Sequence, residues 1–188
     1  MNEVNAVKNV EDISKVSDLL EKHYSLQLSQ LWNFGINVAL RISDLLDIKF
    51  TDITKVDGAY RLRIKEGKTK KVANIKLNSK AVEFYQTIKT TNPDNIYLFQ
   101  SMSSRAVTTV KPLGRSYVSA AFKEVGKMLE LHIGTHSMRK TRGYHLYKKT
   151  NDITKVMKLL RHTSEAATLL YIGITQEDVD NDFDDLIL

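Results

Sequence analysis

Four segments of the chain carry side chains suited to chemistry. They are Ala39-Leu40-Arg41-Ile42-Ser43-Asp44-Leu45-Leu46, Gly67-Lys68-Thr69-Lys70, His136-Ser137-Met138-Arg139, and Leu160-Arg161-His162-Thr163, with Tyr171-Ile172 nine positions beyond that last histidine. These residue types are what a phosphoryl transfer without a metal needs. Guanidinium forks match the paired oxygens of a phosphate better than an ammonium does. A tyrosine hydroxyl, with a reference pKa near 10, becomes a nucleophile only beside a base or among cations. Singly, each residue has a plainer reading. Arg41 is a cation at a helix boundary, although its apolar flanks Leu40, Ile42, Leu45 and Leu46 make an unpaired charge there costly and point to a waiting anion. Lys68 is a turn lysine with Lys70 and Lys71 beside it. Tyr144 and Tyr147 rival Tyr171 on chemistry alone, and His145 reads as a packed or surface histidine. His132 and His136 are four apart, but Gly134 lies between them and the chain has no His-Glu-x-x-His pattern, so no metal site is expected.

The elements that must hold these groups follow from periodicity. Ile13, Val16, Leu19 and Leu20, then Leu28, Leu31, Phe34, Val38, Leu45 and Ile48, recur at helical spacing and predict three packed helices, the third starting near Ser43. Tyr60, Leu62 and Ile64 alternate with Arg61, Arg63 and Lys65, and Val72, Ile75 and Leu77 resume strand spacing after Gly67-Lys68-Thr69. That pattern predicts a β-hairpin with Lys68 near its turn. Ser79 is the expected N-cap of a helix carrying Val82, Phe84, Tyr85 and Ile88, broken by Asn92-Pro93-Asp94. Further helices are expected over 115–130, 136–148, 153–160 and from 164 to about 171. The fold class is mainly α with a small antiparallel hairpin or sheet.

At 188 residues the chain suits one ordinary domain with a real core. Without cysteine it has no disulfide and no thiolate-bound zinc, nothing argues for secretion, and the cytoplasm is the expected compartment. No apolar run nears the roughly 18 residues of a membrane helix. The net charge is +6, and Glu177, Asp178, Asp180, Asp182, Asp184 and Asp185 follow Tyr171 with no cation among them, so the body up to Tyr171 carries +12. Such a body nominates a polyanion as partner. The acidic tail, 176–188, carries Val179, Phe183 and Leu186 or Ile187 at helical spacing, a stripe suited to docking on protein rather than on phosphate.

Order and internal pattern together resemble the tyrosine recombinases, or phage-integrase family, over about residues 28 to 175. In that family an Arg opens an Arg-x-Ser-Glu/Asp-Leu motif, a Lys sits in a β-hairpin, a His-x-x-Arg pair follows, and a second His precedes the nucleophilic Tyr by nine. The pattern falls on Arg41, Lys68, His136 with Arg139, His162 and Tyr171. The resemblance implies a catalytic domain over 1–175 that cleaves and rejoins double-stranded DNA through a 3′-phosphotyrosine, with no metal, cofactor or ATP and no small-molecule substrate. Arg41 and Arg139 would clamp the phosphate, His162 would add a donor, His136 would handle the tyrosine proton, and Lys68 would protonate the leaving 5′-oxygen. Lys70, Lys71, Lys140, Arg142 and Arg161 are the expected DNA contacts. A homotetramer on paired sites is implied, with the tail joining protomers. The same chemistry would serve a type IB topoisomerase-like enzyme, and the scaffold alone a non-catalytic DNA-binding protein. Two departures stand out. Arg161 occupies a position where the family commonly has Gly, and no room precedes the catalytic region for a core-binding domain, as in an excised domain or a naturally short recombinase.

Overall fold

The computed structural model describes residues 4–103, 109–175 and 178. The chain opens with helix α1, Val10–His23. Asn9 caps it by accepting from Glu11 N, acidic Glu11 and Asp12 lie in its first turn and Lys22 and His23 in its last, and Val16 and Leu20 face inward. Helix α2, Leu26–Val38, is capped by Ser25 and is buried nearly all round through Leu28, Leu31, Trp32, Phe34 and Val38, so other helices wrap it. It packs on α1, on α4 (Ser79–Thr91) and on α6 (Ser137–Thr150). At Gly35 a methyl group would meet Met138 Sδ at 2.3 Å, so the absent side chain is what lets α2 approach α6. α2 stops at Ala39, which is left-handed at φ 53°, and the short α3 runs Ile42–Leu46.

The sheet contains the expected hairpin and one strand more. A third strand, β1 (Ile53–Val56), precedes β2 (Ala59–Lys65) and β3 (Val72–Lys76) in an antiparallel order β1-β2-β3. Ile53 pairs with Leu62 and Leu62 with Ile75, so one face turns apolar residues to the core. The β1–β2 turn is Asp57-Gly58, both at positive φ, a two-residue hairpin of the kind whose twist matches the strands. β1 itself shows one buried position in four, too little alternation to announce a strand.

One cap also differs. Asn78, not Ser79, caps α4 by accepting from Ala81 N at 2.9 Å, and Ser79 is its first helical residue. Helix α5 spans Arg115–Met128, two residues shorter than expected, and Glu130 beyond it is left-handed. Helices α7, Ile153–Leu160, and α8, Glu165–Ile172, complete the described chain, the latter capped by Ser164 and ended by Gly173 at φ 80°.

Two apolar clusters result. The larger joins α1 to α5 and the sheet, with Trp32 edge-on to Phe122 and Phe34 edge-on to Phe99. The smaller holds Tyr144, Val156, Leu160 and Ile172, with Tyr147 and Tyr171 against them. Among the described residues no helix is long and apolar enough to cross a membrane. The stripe Val179, Phe183, Leu186 and Ile187 lies outside the described residues.

Candidate active site

Arg41 emerges from the break between α2 and α3. Left-handed Ala39 turns the chain, and Leu40 and Ile42, both buried, anchor it on either side. Arg41 Nη1 lies 3.4 Å from Glu66 Oε2 and has no hydrogen-bond partner among the described residues. Arg139, in the first turn of α6, is only 3% exposed. Its Nη1 donates to Ala39 O at 2.7 Å and its Nη2 to Leu160 O, so one guanidinium joins the carboxyl ends of α2 and α7. Unpaired carbonyls at helix C-termini carry partial negative charge, which suits a buried cation. Arg41 and Arg139, about a hundred positions apart in the chain, thereby meet at one place, and each perturbs the ionisation of the groups around it.

His162 follows the end of α7. Its Nδ1 is 3.2 Å from Thr168 Oγ1, whose own proton goes to Ser164 O at 2.6 Å. Thr168 can therefore only accept, which places the proton of a neutral His162 on Nδ1 and leaves Nε2 as the free face. Tyr171 occupies the last turn of α8, half-buried, its ring 5.0 Å from that of His162 in an edge-on contact. Lys140 Nζ stands 5.1 Å from the Tyr171 ring centroid. Burial pushes the Tyr171 phenol above its ordinary pKa, opposed by the charges of Arg139 and Arg41 and by a hydrogen-bonding contact from Arg139. The phenol is thus protonated at rest, beside cations that would favour its phenolate.

His136 occupies the N-cap position of α6, exposed over much of its surface, yet its pKa lies below the ordinary histidine value. Partial burial of the ring comes first as cause, followed by the charges of Arg115, Arg139, Lys140 and Arg41. His162 is lowered too, by burial and then by Arg139 and Arg41. Both imidazoles are neutral at pH 7 and able to accept a proton.

Lys68 stands exposed in the turn of the β2–β3 hairpin. The base of that hairpin is fixed to α3, because Gly67 N donates to Asp44 Oδ1 at 2.9 Å. Lys70, left-handed, and Lys71 are exposed on the same turn. The remaining expected DNA contacts sit differently from open surface cations. Lys140 is 5% exposed and lies against Tyr171, within the site itself. Arg142 is part-buried, and burial lowers its pKa. The Arg161 guanidinium turns to Glu66 rather than to open solvent, with Nη1 2.7 Å from Oε2.

Glu66 is the residue that inspection of motifs passes over. It is 1% exposed and accepts from Thr69 Oγ1 at 2.6 Å. Burial pushes its carboxyl up, but Thr69, Arg161 and Arg41 outweigh that and hold it below the ordinary glutamate value. Two signals would have found it. Glu66 continues the inward alternation of Leu62 and Ile64, and it is the lone acid among Arg61, Arg63, Lys65, Lys68, Lys70 and Lys71. Thr168 and Arg115 carried no comparable signal. Among the described residues no group of three or more His, Asp or Glu side chains is gathered to hold a metal.

The model of the phage integrase family matches residues 6–178. The probable integrase/recombinase YoeC of Bacillus subtilis (strain 168) is 37% identical over 182 residues, which cover 94% of this chain and 93% of that protein. Among solved structures, the XerH site-specific recombinase bound to its palindromic difH substrate superposes with a TM-score of 0.70 at 19% identity, over 97% of this chain and 53% of XerH. A lambda integrase tetramer bound to a Holliday junction gives 0.66 at 20%, over 92% and 50%. The chain thus spans about half the length of these solved recombinases and nearly all of YoeC. On the family model and the identity to YoeC, the chain belongs to the phage integrase family, and its fold is that of a tyrosine recombinase catalytic domain.

Proposed function

We propose that the chain cleaves and rejoins double-stranded DNA at specific sites through a 3′-phosphotyrosine, in service of a mobile element. The observation that carries this reading is the convergence of Arg41, Arg139, His162 and Tyr171, drawn from four separate elements of the fold. Tyr171 Oη attacks the scissile phosphorus and loses its proton to His136. The P–O5′ bond breaks, and Lys68 supplies the proton that lets the 5′-oxygen leave as a hydroxyl. Arg41 and Arg139 take up the charge that grows on the non-bridging oxygens, and His162, whose Nε2 takes a proton from solvent as the phosphate binds, adds a donor to them. The phosphotyrosine keeps the ester energy, so a 5′-hydroxyl from another strand reseals the DNA without ATP.

Double-stranded DNA is the partner, and the working form is a homo-oligomer on paired sites, a reading supported by the assemblies that the fold's solved relatives form on DNA. The tail joins protomers there. Lys70 and Lys71 contact the backbone beside the scissile phosphate from the hairpin that carries Lys68, and Lys140, Arg142 and Arg161 act nearer the site. The compartment is the cytoplasm, where such DNA lies in a bacterial cell. A nicked suicide substrate, which loses its short 5′ fragment on cleavage, tests the reading. The unaltered chain is expected to accumulate a covalent adduct, and Tyr171→Phe to form none while binding DNA within a few-fold. An adduct of undiminished yield in that variant would move the nucleophile to another tyrosine.

A further inference from the structure

Arg161 sits where the backbone is least hospitable to it. It ends α7 in the left-handed region, at φ 54°. That conformation costs a residue with a Cβ about 1 kcal/mol or more and costs Gly almost nothing. The side chain kept at this cost reaches into the site. Arg161 Nη1 is 2.7 Å from Glu66 Oε2, while Arg41 Nη1 is 3.4 Å from the same oxygen. Neither contact has the alignment of a hydrogen bond. Two guanidiniums thus compete for one oxygen of Glu66, a residue 1% exposed, and the closer contact belongs to Arg161.

Without Arg161, the buried Arg41 Nη1, which lacks a hydrogen-bond partner among the described residues, would face a carboxylate released from its nearest cation. A charged donor beside such an acceptor closes on it. The cluster of Arg41, Arg161 and Glu66 would also fall from a net charge of +1 to zero, weakening the pull on an incoming anion. Arg161 moreover adjoins His162, and Glu66 is two positions from Lys68, so the pair joins the loop of one to the hairpin of the other.

We propose that Arg161 is a positioning residue: by engaging Glu66 it keeps the Arg41 guanidinium available to a phosphate, and it ties the Lys68 hairpin to the His162 loop. The inference rests on the reading of Arg41 as a phosphate ligand. It differs from a direct DNA contact by Arg161, because here the residue acts through Glu66.

The test uses the full chain, its Arg161→Gly variant, the double variant Arg161→Gly with Glu66→Gln, and Arg161→Lys. Arg161→Gly removes the side chain and relieves the backbone but takes a cation from a buried carboxylate, so the thermal unfolding of each variant is measured beside its activity. Two probes are read: inorganic phosphate, titrated while the arginine side chains are followed by ¹⁵N NMR, and single-turnover adduct formation on the suicide substrate. Arg161→Gly is expected to weaken phosphate binding and slow cleavage by about tenfold or more, as loss of one charge-assisted contact does. Adding Glu66→Gln removes the captor and is expected to restore most of both, and Arg161→Lys to restore part. A purely structural role would show the reverse, since a second lost contact could only deepen the defect. Unchanged phosphate binding in Arg161→Gly overturns the proposal, and so does a double variant no better than the single one. If the phosphate arm behaves as expected but the unaltered chain forms no adduct, the inference stands and the assignment of Tyr171 as nucleophile falls.

Discussion

Arg139→Lys keeps the charge at the centre of the site and removes the fork, and the structure separates what that costs the fold from what it costs the reaction. Arg139 Nη1 and Nη2 satisfy Ala39 O and Leu160 O, two carbonyls that end different helices. A lysine has one nitrogen and serves one of them. The other is left buried without a donor, at about 1–3 kcal/mol. In a domain of this size each kcal/mol lowers the melting temperature by roughly 2–4 °C, so a fall of about 2–12 °C is expected. Thermal or urea unfolding without DNA measures this term by itself. The catalytic term appears only with DNA, where loss of a preorganised donor costs about 10²–10³ in rate. Arg41→Lys is the control: among the described residues no hydrogen bond joins the Arg41 side chain to a helix end, and it pairs with Glu66 at only 3.4 Å. It is expected to lose rate with little loss of stability. An Arg139→Lys protein that melts with the unaltered chain would refute the helix-joining role, and one that cleaves at the normal rate would remove Arg139 from the clamp.

Two further expectations follow from the same geometry and a third from the sequence of the tail. His136 and His162 have folded pKa values below the ordinary one, so the unfolded chain binds protons that the folded chain refuses. Stability should be full above about pH 6.5 and fall as pH drops through the folded pKa values. Urea midpoints measured from pH 7.5 downward check this, and a flat profile, or one unaltered by His162→Gln, would contradict it. A Cβ added at Gly143 would meet Ile172 Cγ2 at 2.7 Å and Leu160 Cδ1 at 3.1 Å, so Gly143→Ala should cost about 1–3 kcal/mol. It should also slow adduct formation by displacing Tyr171 beside Ile172, an outcome that normal single-turnover cleavage would exclude. Deleting residues 176–188 should weaken assembly on paired DNA sites while sparing single-site binding, as seen by gel shift; equal multimer formation would leave the tail without that role.

Local chemistry determined most of the elements and the identity of the candidate groups. Helical spacing marked α1 to α8, and alternation marked β2 and β3 around Lys68, because these patterns record which face of a single element meets the core. The order of Arg41, Lys68, His136, Arg139, His162 and Tyr171 was legible too, since a motif is a property of neighbours in the chain. β1 was not, because its outer residues carry no alternation and it is held by pairing with β2. Only the tertiary structure decided how the groups meet. It turned Arg139 onto the ends of two helices, laid Lys140 against Tyr171 instead of on open surface, and fixed the His162 tautomer through Thr168. Arg161, whose side chain the sequence left between DNA and solvent, found Glu66 ninety-five positions away. Such partners are set by close approach of elements distant in sequence, where burial makes each unpaired charge or carbonyl costly enough to select one arrangement.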